Sequence, residues 1–147
     1  MDANAFRHLY EYHFAENNKI WKVCLDLLDS QEFTHTNNYS HGSVRDQLIH
    51  LTSVDEVWFC ELQGKVPVDP PEQNWDIQAL RLYRDSVEQV MRNYLQKLSN
   101  DMLTTKPIIE PEEDRDLVVW QVLFHVINHA TDHRAQILRQ LYELGYD

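Results

Sequence analysis

Glycine is scarce in this chain, with 3 residues among 147, and the 5 prolines fall in two short segments, Pro67 to Pro71 and Pro107 to Pro111. No glycine-rich phosphate loop can be built from Gly42, Gly64 and Gly145, which lie far apart. Cysteine is limited to Cys24 and Cys60, too few for a disulfide scaffold and without Cys-x-x-Cys spacing. Cys24 falls on an apolar helical stripe and Cys60 nearly opposite one, so both are expected to be reduced. Basic residues are also in deficit: 13 against 24 acidic ones give a net charge of −11. That balance argues against a binder of phosphate backbones, which needs clustered Lys and Arg. No apolar run approaches the ~18 residues of a membrane span. The start, Met1-Asp2-Ala3-Asn4, lacks the basic and apolar regions of a secretory signal. A cytoplasmic protein with neither nucleic-acid nor membrane partners is the expectation.

What remains is long, amphipathic and helical. At 147 residues and 43% hydrophobic content, the chain suits one domain spanning 1–147 with a single core. The breakers leave four segments for helices. The first runs from Ala3 to Asp29 and carries Phe6, Leu9, Tyr10, His13, Ile20, Trp21, Cys24, Leu27 and Leu28 at helical spacing. Ser30 to Gly42 reads as a loop. The second helix starts behind Ser43, which can accept from a free backbone N–H, and stops at Gly64. Lys65 to Asn74 is a connection. The third helix presents Leu80, Tyr83, Val87, Val90, Tyr94 and Leu98 on one face. Asn100 to Asp116 is irregular, with a short extended piece at Ile108-Ile109. The fourth, capped by Asp116, runs from Leu117 to Leu144 and ends at Gly145. Four such stripes are buried only against one another, which predicts an all-α four-helix bundle with long connections between helices two and three and three and four.

Eight histidines are many for this length. His125, His129 and His133 are spaced four apart on the fourth helix, so each step advances about 40° around it. A helical wheel centres the apolar face on Val119, Trp120, Leu123, Ile127, Ala130, Ile137, Leu138 and Leu141. His125 then falls with the polar residues, while His129 and His133 lie on the shoulder between polar face and core. His50 flanks the apolar face of the second helix, formed by Val44, Leu48, Leu51, Val54, Trp58, Phe59 and Leu62. A pair at i and i+4 with a third imidazole from another helix offers three ligands and leaves a position open, the pattern of catalytic metal sites. Such an ion lowers the pKa of a bound water or thiol. The plainer alternative is surface polarity with one satisfied core contact.

The run Leu123-Phe124-His125-Val126-Ile127-Asn128-His129-Ala130-Thr131-Asp132-His133-Arg134-Ala135-Gln136-Ile137 resembles the last-helix signature of the DinB family. Gly42-Ser43-Val44-Arg45-Asp46-Gln47-Leu48-Ile49-His50-Leu51, followed by Trp58, is similar to that family's second helix, and Asn17 and Asn18 to its first. The likeness covers the whole chain in length and helix order. It implies a four-helix bundle holding a divalent metal ion (Zn, Ni or Fe, with Zn preferred) on His50, His129 and His133, with His125 outside the ligand set. Several relatives are thiol-dependent transferases or isomerases that use low-molecular-weight thiols such as bacillithiol or mycothiol. The resemblance therefore implies a small-molecule substrate, and a homodimer as in other members. The family name refers to induction by DNA damage, which describes regulation and not contact with DNA. Relatives often carry Gly where this chain has Ala135, a change that bears on packing more than on ligation.

Other residues admit two readings. Arg134 falls near the apolar centre of the fourth helix and needs a partner, for which Asp55 is available, unless its head reaches water. Gln136 is placed either to orient His133 or at the surface. His13 is expected as a hydrogen-bonded core histidine in preference to a fourth ligand. His8 and His35 read as surface residues, and Trp21, Trp58, Trp75 and Trp120 as core and rim packing. The acidic run Glu110 to Asp116 reads as a solvated loop. The function these features predict is a metal-dependent hydrolase or thiol transferase, with no catalytic residue assignable because no carboxylate falls beside the three histidines. The alternatives are a non-catalytic, metal-stabilised stress-response or binding module, and a bundle without metal.

Overall fold

The computed structural model describes residues 1–68 and 76–146. The expected connection from residue 69 to 74, and Trp75, lie outside the described residues. All regular structure within them is helical, in five α-helices: α1 (Ala3–Leu27), α2 (Ser30–Thr34), α3 (Val44–Glu61), α4 (Ile77–Lys97) and α5 (Val119–Glu143). The helices expected as first, second, third and fourth are α1, α3, α4 and α5. Each of these long helices packs against two others: α3 against α4 and α5, and α1 against α4 and α5.

Side-chain caps set most of the starts. Oxygens of Asp2, Ser43 and Asp76 accept from Ala5, Asp46 and Ala79 amides at 2.8, 3.1 and 2.8 Å. The first helix ends at Leu27 and not at Asp29, because Asp29 caps a new helix instead. Its carboxylate accepts from Gln31 and Glu32 amides, and Glu32 reaches back to the Asp29 amide, a reciprocal pair that turns the expected loop into α2. Asp116 does not cap α5: it pairs with Lys106, and Gln121 Oε1 accepts from the Val118 amide at 3.0 Å. The segment before α5 holds two 3-10 turns, Asp101–Thr104 and Glu112–Asp114, and buries Ile108 while Ile109 faces water.

The wheel of α5 is rotated relative to expectation. Val122, Val126, His133 and Gln140 are buried, as is Arg134 near the expected apolar centre, whereas Trp120 and Leu138 are 44% and 53% exposed. The reason is that α5 packs on α1 and α3 at once, so its buried arc is wide and admits polar side chains that find partners. Likewise Met91 and Leu95 join the buried face of α4. Cys60, expected opposite the apolar face, is buried; both cysteines are free.

The apolar interior is divided. One cluster gathers Phe6, Tyr10, Phe14, Phe59, Tyr94 and Val122; the other gathers Trp21, Leu48, Leu51, Leu80, Ala130 and Ile137. At the level between them the helices contribute buried polar groups, His13 and Asn17 from α1, Asp55 from α3 and Arg134 from α5. Arg134 neither reaches water nor meets Asp55 directly. Its guanidinium donates to Asn17 Oδ1 at 2.7 Å and to Thr131 Oγ1 at 2.9 Å. With its oxygen taken by a group that only donates, Asn17 must point its amide nitrogen at His13 Nε2, 3.2 Å away. His13 Nε2 in turn lies 3.8 Å from Asp55. The expectation of a hydrogen-bonded core histidine therefore holds. Because Asn17 serves both neighbours, Asn17→Ala is expected to lower stability by about 2–3 kcal/mol in urea unfolding. Asn18→Ala, on the exposed side of the same turn, should cost less than about 1 kcal/mol.

Candidate metal centre

The local order of the site is set by one carboxylate. Asp132 on α5 can only accept, so the Gln136 amide nitrogen points at it, Nε2 to Oδ2 at 3.2 Å. The Gln136 carbonyl then accepts, from Gln47 Nε2 at 3.0 Å and from the Ser40 hydroxyl at 2.5 Å. The Gln47 carbonyl is thereby directed at His133 Nδ1, 2.9 Å away. Nδ1 must carry the ring hydrogen, and Nε2 of His133 is left with a free lone pair. Gln47 is fully buried on α3, so this orientation is not exchanged for one with water. Gln136 thus bears on His133 both through Gln47 and by its own hydrogen bond to the ring, in line with the reading that it orients His133.

Around His133 three further imidazoles converge. His50 on α3 and His129 on α5 bring their Nε2 atoms to 3.1 Å from each other. The ring centroids of His133 lie 4.6 Å from His50 and 4.2 Å from His129. The rings of the three histidines singled out in the sequence therefore lie side by side, although the set whose ligand atoms all fall within 4.8 Å of one another takes His41 in place of His129. His41, in the loop before α3, stacks on His50 with centroids 3.9 Å apart. His41, His50 and His133 each offer a ligand atom within 4.8 Å of the others, a grouping that could hold a metal ion. His41 was not found from the sequence; its only signal was a place two residues before the Ser43 cap, where a chain entering a helix turns back over its first turns. His125 stays apart, on the exposed side of α5, with its ring edge-on to Trp58 at 5.1 Å. His8 and His35 are exposed.

Burial of the cluster, and then the neighbouring imidazoles, disfavour the charged rings. His50 is pushed down to about 4 by burial, then by His41 and His133. His129 is pushed down to about 3 by burial, then by His133 and His50. His133 is lowered too, by burial and then by His41. All three are lone-pair donors at neutral pH, the state in which imidazole binds a metal. Buried His129 Nδ1 has no hydrogen-bond partner, and no carboxylate bonds these rings among the described residues. An all-imidazole donor set of this kind fits a borderline divalent ion such as Zn, Ni or Fe.

A helical protein with neutral imidazoles gathered between two long helices is the class that fold and site define. The chain belongs to the DinB family, whose model matches residues 1–147, the whole chain. No curated protein matches it. No helix among the described residues is long and apolar enough to cross a membrane.

The lowered pKa values carry a sign for stability. The unfolded chain takes up protons on these histidines near the ordinary value of about 6.5, while the folded site resists them until about pH 4 or 3. Metal-free protein should therefore lose stability as pH falls from 6.5 toward 4, with no contribution from these groups above 6.5. Thermal melts across that range should show a steeper pH slope for wild type than for His129→Asn.

Proposed function

We propose that this DinB protein is a divalent-metal protein whose ion is held by His50, His129 and His133, and that it acts on a small molecule in thiol-transfer-type chemistry. The observation that carries the reading is the polarised chain from Asp132 through Gln136 and Gln47 to His133, which leaves a lone pair on the ring nitrogen away from Gln47, in a cluster with the His50 and His129 rings. A hydrogen-bonded partner on the far ring nitrogen is how metal-ligating histidines are oriented and made more basic. An ion bound there supplies Lewis acidity that lowers the pKa of a thiol or water. The chain's own residues do the rest. Gln47 fixes the His133 ring, burial keeps the imidazoles neutral, and α3 and α5 hold the donors at a set spacing as a four-helix bundle would.

A second reading is favoured by the absence of any carboxylate bonded to the cluster among the described residues. In it the ion joins α3 to α5 and no reaction follows. In the first, catalytic reading Zn is the preferred metal, and the substrate class is a low-molecular-weight thiol with a small electrophile.

Metal analysis of protein purified without a histidine tag tests the assignment. Wild type should hold about one divalent ion per chain, and His50→Ala should empty the site while the helical circular dichroism is kept. A wild-type protein that takes up no Zn, Ni or Fe would end the proposal. Gln47→Ala should weaken metal binding roughly 10- to 100-fold with the fold intact, as loss of a ligand-orienting partner does. Thiol-dependent turnover on a panel of electrophiles separates the two readings: turnover abolished by His129→Ala supports the enzyme, and none, with a chelator-induced fall in melting temperature, supports the structural ion.

A further inference from the structure

His41 stands where none of the three proposed ligands stands, on a loop instead of a long helix, yet the fold spends several interactions on keeping it there. Ser40, its neighbour, adopts a left-handed backbone with φ 49°, a conformation that disfavours any residue with a side chain. Gly42, on the other side, sits at φ 92°, and a Cβ there would come within 3.3 Å of Thr36 Cγ2. The Asn37 amide donates to the Gly42 carbonyl at 2.8 Å and the Gly42 amide to the Tyr39 carbonyl at 2.9 Å, closing the loop on itself. Three contacts then fasten it to α5. Asn37 Nδ2 donates to Glu143 at 3.2 Å, the Arg139 guanidinium lies 4.2 Å over the Tyr39 ring, and the Ser40 hydroxyl binds Gln136.

That last contact joins the loop to the site. The Gln136 carbonyl receives both the Ser40 hydroxyl and the Gln47 amide that orients His133, so one oxygen sets the loop and the ring together. The outcome is an imidazole stacked on His50 and 5.4 Å, centroid to centroid, from His133, with a nitrogen within 4.8 Å of theirs. His41 is exposed, but its place is fixed by a strained neighbour and by an acceptor shared with the site, which a histidine that only faces water does not need.

We propose that His41 is a fourth donor to the ion assigned to His50, His129 and His133, a step that rests on that assignment. An imidazole from the loop would then take the coordination position that three helical histidines leave open, and an outside ligand would bind an ion there in place of the loop nitrogen. With neutral imidazole as that ligand, one metal–nitrogen bond breaks and another forms, and no proton or electron moves.

Cobalt(II) reports the donor set through its visible bands. Tag-free wild type, His41→Ala and His41→Gln are titrated with Co²⁺, with affinity from equilibrium dialysis and fold from circular dichroism. Expected for both variants are an altered visible spectrum and affinity lower by on the order of tenfold. Added imidazole should return the wild-type spectrum to His41→Ala. Superimposable spectra with affinities within twofold, while His129→Ala loses the ion, would overturn the fourth donor and leave the three-histidine assignment standing. A wild type that binds no Co²⁺ would overturn both.

Discussion

A buried amide can be placed either way round, and which way is decided by whatever at the end of the chain can only give or only take a hydrogen. In this protein Asp132 is that end. Its carboxylate orders Gln136, Gln136 orders Gln47, and Gln47 settles which nitrogen of His133 keeps its proton. The lone pair that His133 offers depends on that sequence of donors, because an imidazole turned the other way would present a hydrogen to its neighbours. The same logic operates a few ångströms away, where Arg134 can only give, and so decides how Asn17 faces His13.

These two networks also explain why polar side chains are tolerated inside. A buried polar group is costly when unpaired and close to neutral when its bonds are complete. Gln47, Asn17 and Arg134 all meet partners from other helices, so the layer between the two apolar clusters links α1, α3 and α5 where greasy packing is interrupted. Specificity of helix arrangement is the gain from such a layer, since an apolar face can slide on another with little loss and a set of paired amides cannot.

Much of this could be read from the sequence. Periodicity located the four long helices, the breakers found their ends to within a few residues, and the shoulder positions of His50, His129 and His133 followed from counting around a helix. Three things could not be counted. The wheel weighed apolar residues alone, so it set Trp120 and Leu138 inside, offered Arg134 near the apolar centre the wrong partner in Asp55, and left Gln140 without a place, whereas the interior accepts any residue whose bonds are met. Asp29 looked like the end of one helix because the reciprocal bond with Glu32 that starts another depends on local backbone geometry. His41 had no period to betray it: a loop's direction is fixed by left-handed residues and contacts to a distant helix, and neither is visible along the chain.

His133 and Arg134 are consecutive, and so point about 100° apart from the helix axis. One is fastened to α3 through Gln47 and the other to α1 through Asn17. Turning α5 in either direction, or shifting it by a single residue, would release both bonds at once. The helix consequently has one angular setting, and the face its imidazoles turn toward α3 is held in part by a cation that never touches them.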